Sequence, residues 1–275
     1  MKARYGLRFA ALAYLSLLLV LPVGLVFFRT FEDGFSPFWN AMTDPDFLHA
    51  LWLTILIALI AVPLNTVFGV LAALVIVRQR FRGKALLNAV IDLPFALSPV
   101  VVGLAFFLVY ARTGWFGPWL DAHGIQIVFA LPAMVMATVF VSLPFVVREV
   151  IPVLREIGTE QEEAAWTLGA SPLATFRRIT LPAIRWGITY GVVLTTARAL
   201  GEFGAVAVVS GNLIGRTQTL TLHVENRFQA FDLVGAYTAS VVLAVLALAT
   251  LFLMNLFRKE TPRVDSGPRR DEALR

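Results

Sequence analysis

The sequence predicts an all-α membrane protein that crosses the bilayer about six times. Three observations support this prediction: 58% of the 275 residues are hydrophobic, only 15% are charged, and the mean hydropathy is +0.77. A soluble domain would carry roughly a quarter charged residues. The apolar residues also form long runs, and a helix needs about 20 of them to cross the hydrocarbon core. We therefore expect a polytopic membrane protein rather than one large soluble core.

Six apolar stretches are long enough to be spans. The first follows Lys2, Arg4 and Arg8, which would also suit a signal peptide. Its apolar run is long and no A-x-A-like cleavage site follows it, so we expect an uncleaved anchor. The predicted spans are 9–28, 50–77, 86–109, 128–147, 186–210 and 235–257.

The distribution of basic residues predicts the orientation in the membrane. Of the 23 Lys and Arg residues, 18 lie on one side of the predicted spans, Arg198 lies inside a span, and the other side has only Arg29, Arg112, Arg216 and Arg227. The positive-inside rule places the richer side, with both termini, in the cytoplasm. Residues 1–49 are then predicted to hold a transmembrane helix and a periplasmic loop, residues 50–257 the main membrane domain, and residues 258–275 a disordered cytoplasmic tail.

The composition also argues against several classes of function. The net charge of +5 follows from the topology of the loops, so no nucleic-acid partner is expected. Cysteine is absent, which excludes a thiolate nucleophile and a Cys-based metal site. The three histidines are far apart in sequence, so a local metal motif is also absent, and we expect neither a metal nor another cofactor in this chain.

One charged loop, about 149–185, interrupts the apolar pattern between the fourth and fifth spans. Its sequence predicts a first helix with acidic residues in its first turn, from Glu160 to Leu168, ended by Gly169 as the C′ residue. Ser171-Pro172 predicts the start of a second helix, which Leu181-Pro182 would end. Leu173 and Phe176 would share one face of that second helix. From the residues alone this face could rest on lipid headgroups or dock on a cytoplasmic protein.

The same loop resembles the EAA signature of the permeases of ABC importers. That signature reads E-A-A, three residues, G, nine residues, I, one residue, L-P, and the chain has Glu163-Ala164-Ala165, Gly169, Ile179 and Leu181-Pro182 at this spacing. The resemblance implies a type I ABC importer permease fold in which the loop is a coupling helix that docks on a dimer of ATPase subunits. The implied docking residues are Glu163, Ala164, Ala165, Gly169, Ala170, Ser171, Pro172, Leu173 and Phe176.

The chain has no phosphate-binding loop of the form G-x-x-x-x-G-K-[ST]. We therefore expect it to be no enzyme itself, with ATP bound and hydrolysed by a partner subunit.

Ionisable residues inside a span are expensive and are therefore candidates for a translocation path. Arg198 and Glu202 lie four residues apart on the fifth span, with Thr195 on the same stripe. They could line the path or form a self-contained ion pair. Asp92, in the third span, is expected to reach the membrane interface or to pair with a neighbouring chain.

The third span contains a second candidate for the path. Ser98-Pro99 reads as an N-cap and first helical position at mid-membrane, and a half-helix beginning there would aim N–H groups at an anion. An ordinary proline kink, from Pro94 and Pro99, is the alternative. Ser98 and Arg198 are both about 18 Å from the predicted start of their spans, at 1.5 Å per residue.

Further stretches resemble the permeases of sulfate/thiosulfate importers. They are Val62–Val70, Asp92–Leu104 and Ala199–Leu220, and the SPVV and GEFGAVAVVSG segments are similar to the W-type permease. This resemblance implies a heterodimer with a T-type permease and a periplasmic sulfate-binding protein. Permeases for molybdate or tungstate are similar.

Two other classes of function compete with the ABC importer permease. The first is an ion-coupled secondary transporter that uses Asp92 and Glu202, but it leaves the EAA signature unexplained. The second is a membrane enzyme, for which the sequence shows no catalytic constellation.

Overall fold

The computed structural model describes residues 2–257, so the predicted tail at 258–275 lies outside the described residues. Every regular element among residues 2–257 is helical, as predicted. The α-helices are α1 (Lys2–Leu15), α2 (Leu21–Phe31), α3 (Phe35–Met42), α4 (Pro45–Arg78), α5 (Lys84–Ala96), α6 (Pro99–Tyr110), α7 (Gly117–Ala122), α8 (Leu131–Glu156), α9 (Glu160–Thr167), α10 (Pro172–Thr175), α11 (Leu181–Leu200), α12 (Gly204–Ser210), α13 (Leu220–Gln229) and α14 (Leu233–Phe257). Single π-helical turns occupy Ser16–Val20 and Phe176–Thr180.

Four of the predicted spans are continuous helices and two are broken. The continuous apolar helices are Gly6–Phe31, Pro45–Arg78, Leu131–Glu156 and Leu233–Leu253. The predicted span 86–109 is a bent pair in which α5 meets α6 at 110°, and the span 186–210 ends in a second bend, of 52°, between helix Pro172–Leu200 and α12. Counting each bent pair as one span gives the predicted six crossings.

A proline that was predicted to end the second loop helix lies inside a continuous helix. Pro182 has no N–H to donate and its ring crowds the preceding turn. The π-helical turn just before it is wider, with Leu181 N–H donating to the Phe176 carbonyl five residues back, and this turn makes room for the proline. The same arrangement precedes Pro22. The prediction that Leu181-Pro182 ends the second loop helix is therefore wrong, because Pro172–Leu200 is one helix.

Helices α4 and α8 run through the centre of the bundle. We call the end that carries α9 and α10 the loop end, and the end that carries α3, α7 and α13 the far end. The core toward the loop end joins α4, α5, α8 and α11 through buried side chains that include Val70, Ile91, Val147 and Ile184. The core toward the far end joins α4, α6, α8, α12 and α13 through side chains that include Leu53, Val102, Met134, Val206 and Leu222.

Two glycines allow α4 and α11 to approach α8 closely on either side of the fully buried Val146. A Cβ added at Gly69 would lie 2.7 Å from the Val146 Cβ. A Cβ added at Gly191 would lie 2.7 Å from the Val146 Cα, which is backbone and cannot rotate away. Small residues at these crossings therefore determine how tightly the central helices pack.

Candidate functional site

The loop between α8 and α11 consists of α9, a glycine turn and the short helix α10. Gly169 adopts φ +83°, a left-handed conformation that disfavours residues with a Cβ. The Ser171 hydroxyl then accepts a hydrogen bond from Ala174 N–H at 3.3 Å, and Pro172 is in the first helical turn. The predicted order of helix, glycine and capped helix is confirmed. The loop itself is shorter than predicted, because α8 continues to Glu156.

Three apolar side chains of this loop are exposed. Leu168 is 88% exposed, Leu173 66% and Trp166 51%. We call these three residues the loop patch. Phe176, predicted to share an exposed face with Leu173, is half-buried and packs against the core of the loop end. Trp166 and Leu168 were missed by the sequence analysis, although large apolar side chains in so polar a loop were a usable signal.

The rest of the predicted docking set lies around the loop patch. Glu163 and Ala164 are exposed, whereas Ala165 and Ala170 are half-buried. The neighbouring Glu162 is buried, at 6% exposed, and its carboxylate pairs with Arg78 at the end of α4. The two adjacent acids therefore have opposite environments.

The breaks in the two bent pairs touch each other. Ser98 has extended backbone angles and precedes Pro99 at the start of α6, as predicted, although its exposed hydroxyl makes no capping bond. The 110° bend excludes an ordinary proline kink at this point. A Cβ added at Gly204 would lie 3.1 Å from the Pro99 Cβ, so the start of α12 contacts the start of α6. Pro94, in contrast, lies inside α5, which continues to Ala96.

Arg198 and Glu202 form the ion pair that their spacing predicts. The Arg198 Nη2 lies 2.6 Å from the Glu202 Oε2, and Glu202 is only 3% exposed. The Glu202 Oε1 also accepts from Ala205 N–H at 2.9 Å, and its backbone carbonyl accepts from the Thr221 hydroxyl at 2.7 Å. Glu202 therefore fixes the break between α11 and α12. Thr195 is fully buried, whereas the Arg198 side chain is 28% exposed and is the member of the stripe that a solute could reach.

Asp92 does not need a neighbouring chain as its partner. The Arg148 Nε donates to the Asp92 Oδ1 at 2.8 Å, and the Arg148 Nη2 contacts the Asp92 Oδ2. This two-point pair joins α5 to α8 within one chain, so the partner of Asp92 lies in its own chain, and the other alternative, that Asp92 reaches the membrane interface, stays a prediction. Sequence reasoning could not find it because the two residues are 56 positions apart.

A buried histidine and an ion-pair cluster join α13 to its neighbours at the far end. The His223 Nδ1 lies 3.2 Å from the Gln218 Oε1, and its ring meets Phe47 of α4 edge-on. Burial, and next the charge of Arg227, lower the pKa of His223 below its ordinary value of 6.5. Arg227 itself pairs with Asp44 at 2.7 Å. With 10 residues, α13 is not one of the helices that are long enough to span a membrane.

The far end also contains a cavity of about 610 Å³ between α6, α7 and the segment that precedes α8. Its polar rim includes Arg112 and Asp121, which pair with each other at 3.1 Å and are both exposed. Within residues 2–257, no group of three or more His, Asp or Glu residues is arranged to hold a metal ion.

Comparison with known proteins identifies the family. Residues 65–261 match the family described as "Binding-protein-dependent transport system inner membrane component". The chain belongs to this family. Members of the family are membrane permeases, so the ABC importer permease predicted from the EAA signature is confirmed.

Relatives within this family agree with the predicted W-type. The chain is 54% identical over 260 residues to the "Sulfate transport system permease protein CysW" of Synechocystis sp., with 94% of both chains covered. It is 50% identical over 241 residues to the protein of the same name from Escherichia coli K12, covering 88% of this chain and 83% of the relative. Identity to the "Probable sulfate transport system permease protein cysT" of Nephroselmis olivacea is lower, 40% over 244 residues, covering 89% and 86%.

Solved structures of ABC importers share the fold. A bacterial ABC transporter involved in the import of the acidic polysaccharide alginate matches with a TM-score of 0.77 at 20% identity, covering 93% of this chain and 94% of that one. The MetNI methionine ABC transporter matches with a TM-score of 0.58 at 18% identity, covering 76% and 93%. The predicted type I permease fold is thereby confirmed.

Proposed function

We propose that this chain is the W-type permease subunit of an ATP-driven importer and forms the translocation path for sulfate and thiosulfate. The observation that supports this most strongly is the 54% identity to a sulfate transport system permease over 94% of both chains. Because the match covers nearly the whole of both proteins, the two chains share a membrane domain rather than a single motif. The substrate class is transferred on that basis.

The loop patch is the proposed docking site for a separate ATPase subunit. Trp166, Leu168 and Leu173 are apolar, exposed and carried on a loop held by a glycine turn and a capped helix. The resemblance of this loop to the EAA signature favours a protein partner over contact with lipid headgroups. Apolar anchors of this size dominate the energetics of most interfaces. The ATP that drives transport is bound by the partner, since this chain has no phosphate-binding loop.

The proposed translocation path passes the two helix breaks. Ser98 and Pro99 begin α6 beside the start of α12, and Arg198 lies just before the second break. Free N–H groups at a helix start and the partly exposed guanidinium of Arg198 both favour an anion. Glu202 neutralises much of the Arg198 charge, so we assign Glu202 to the architecture of the break and Arg198 to contact with the passing anion. Thr195 supports the path from within the helix packing.

The proposed assembly contains two permeases. The CysW and cysT relatives carry the names of two different permeases of sulfate transport systems, which supports a W-type and T-type heterodimer. A dimer of ATPase subunits and a periplasmic sulfate-binding protein complete it. The positive-inside rule orients both termini and the loop patch toward the cytoplasm of the bacterial inner membrane, with the far end toward the periplasm and the binding protein.

Transport in proteoliposomes tests this proposal. The complete complex is reconstituted, and uptake of radiolabelled sulfate is measured with and without ATP, with an ionophore, and with thiosulfate or molybdate as competitor. We expect uptake that requires ATP, is insensitive to the ionophore and is inhibited by thiosulfate. Uptake that persists without ATP and collapses with the ion gradient would indicate a secondary transporter. Uptake of molybdate or tungstate but not sulfate would overturn the substrate assignment.

A further inference from the structure

A buried ion pair connects the loop to the membrane helices at the loop end. Arg78 is the last residue of α4, and its Nε lies 2.9 Å from the Glu162 Oε2 while its Nη2 donates to the Glu162 Oε1 at 3.2 Å. The Glu162 Oε1 also accepts from the Thr180 hydroxyl at 2.7 Å. The side chains of Arg78 and Glu162 are 17% and 8% exposed, so both charges are largely removed from water. We call Arg78, Glu162 and Thr180 the tether.

The same guanidinium also holds the end of α8. The Arg78 Nη1 donates to the Leu154 carbonyl at 3.1 Å, and its Nη2 donates to the Gly158 carbonyl at 2.7 Å. Both carbonyls belong to the C-terminal end of α8 or the turn after it, where a cation is favourable. A single side chain therefore joins the ends of α4 and α8 to α9, and through Thr180 to helix Pro172–Leu200.

Glu162 makes these contacts in place of a local one. The sequence Thr159-x-x-Glu162 has the spacing of a capping box, in which the glutamate would bond back to the start of its own helix. The Thr159 side chain makes no such capping bond, and the Glu162 carboxylate is directed to Arg78 and Thr180 instead. Glu162 is also the only buried residue of α9, so the one fully buried side chain that attaches this helix to the bundle is charged.

We propose that the tether is the positioning element that couples the loop to the membrane helices during transport, with Glu162 and not the adjacent motif residue Glu163 holding α9 in place. This inference rests on the proposed function of the loop as an ATPase-docking element. When the ATPase moves the loop patch, helix Pro172–Leu200 is moved directly through Leu173. α9 can displace α4 along with it only through a connection that does not yield. The charged pair provides that connection, because separating two buried charges is unfavourable.

Loss of the charge on Glu162 should uncouple ATP hydrolysis from transport without lowering the amount of permease in the membrane. Neutralising Glu162 as Gln keeps the side-chain shape and an acceptor for Thr180 but removes the charge that pairs with Arg78. ATP hydrolysis then continues with α9 loosely attached, and we expect sulfate transported per ATP hydrolysed to fall about tenfold, within the range typical of coupling between two sites. Glu160→Gln is the matched control, since Glu160 lies in the same first helical turn but is exposed.

The experiment uses the complete complex in proteoliposomes and measures sulfate uptake, ATP hydrolysis and retention of the ATPase subunit in parallel. Glu162→Gln should lower transport per ATP while Glu160→Gln should not. Equal transport per ATP in the two variants, with both present in the membrane at the wild-type level, would overturn the inference. A wild-type complex that takes up no sulfate would instead count against the proposed function, and the two failures are thereby distinguished.

A double variant tests the tether even if the Gln variant does not assemble. The chain contains no cysteine, so Arg78→Cys with Glu162→Cys introduces one addressable pair, which a short bismethanethiosulfonate reagent joins and a reductant releases. We expect transport per ATP to be low in the reduced protein and to recover severalfold on crosslinking, because a covalent link replaces the ionic one. Transport per ATP that is unchanged by crosslinking and reduction would show that the connection between α4 and α9 plays no part in coupling.

Discussion

The left-handed turn at Gly169 allows a specific test of the proposed docking role of the loop. Gly169 has φ +83°, and a Cβ built there meets no atom within 4 Å. Replacement by Ala therefore acts through the backbone alone, since there is no steric clash. A residue with a Cβ in this conformation costs about 1–2 kcal/mol. That free energy corresponds to a roughly 5- to 30-fold shift away from the native turn.

This shift should appear directly in the affinity for the ATPase subunit. A ligand that binds only the native turn has an apparent Kd raised by the inverse of the fraction in that turn. The native fraction falls by at most the factor of the shift, so we expect Gly169→Ala to weaken binding of the isolated ATPase subunit measurably, with an upper limit of about 5- to 30-fold. Gly169→Asn should have a smaller effect, because Asn tolerates the left-handed region. Binding is measured by titration of the purified ATPase against the permease pair in nanodiscs.

Gly124 is the matched control for this series. It has φ +66° with no atom within 4 Å of a built Cβ, but it lies at the far end of the bundle. Gly124→Ala therefore introduces a similar backbone strain away from the loop patch, and the ATPase affinity should remain that of the wild type. The reasoning is refuted if Gly169→Ala and Gly124→Ala bind the ATPase equally well.

Three further predictions concern packing, the path and pH. Gly191→Ala should lower the free energy of unfolding in detergent by about 1–3 kcal/mol, because the added Cβ would meet the backbone of α8. Gly24→Ala, whose added Cβ meets nothing within 4 Å, should leave the stability unchanged, and equal stabilities of the two variants would contradict the close approach of α11 to α8. Arg198→Ala should lower sulfate uptake and also destabilise the protein, because the buried Glu202 carboxylate loses its partner. Adding Glu202→Gln should restore the amount of folded protein but not the uptake of sulfate, and restored uptake would show that the pair is structural only. The pKa of His223 is lowered in the folded protein, so below pH 6.5 the unfolded chain binds a proton that the folded protein does not, and the free energy of unfolding falls as the pH drops from 7 to 5. His223→Gln should reduce this dependence of stability on pH, as measured by thermal unfolding across the same range.

Local features of the fold followed directly from the sequence. Gly169 and Ser171-Pro172 were predicted correctly because a C′ glycine and an N-capping serine act on the backbone a few residues away. The break at Ser98-Pro99 was also visible for the same reason. Its 110° angle was not, since the bend depends on how α6 packs against α12.

Contacts between residues that are distant along the chain could not be predicted from the sequence. Arg78 and Glu162 are 84 positions apart, and nothing in either neighbourhood distinguishes this pair from the many other basic and acidic residues at the loop end. The capping-box spacing at Thr159 even favoured a local partner for Glu162. The predicted end of the second loop helix at Leu181-Pro182 was wrong for a different reason. A π-helical turn accommodates Pro182 inside the helix, and the presence of a proline does not by itself reveal such a turn.

The continuity of helix Pro172–Leu200 has a mechanical consequence. Its 29 residues extend about 43 Å at 1.5 Å per residue, from the loop patch to the break beside α6 and α12. A stiff rod of this length amplifies rotation: a tilt of about 5° about one end displaces the other by about 4 Å, more than the diameter of a water molecule. The turn at Gly169 and the gap before Gly204 are therefore the two ends of one lever, and neither end can be turned without moving the other unless the helix itself unwinds.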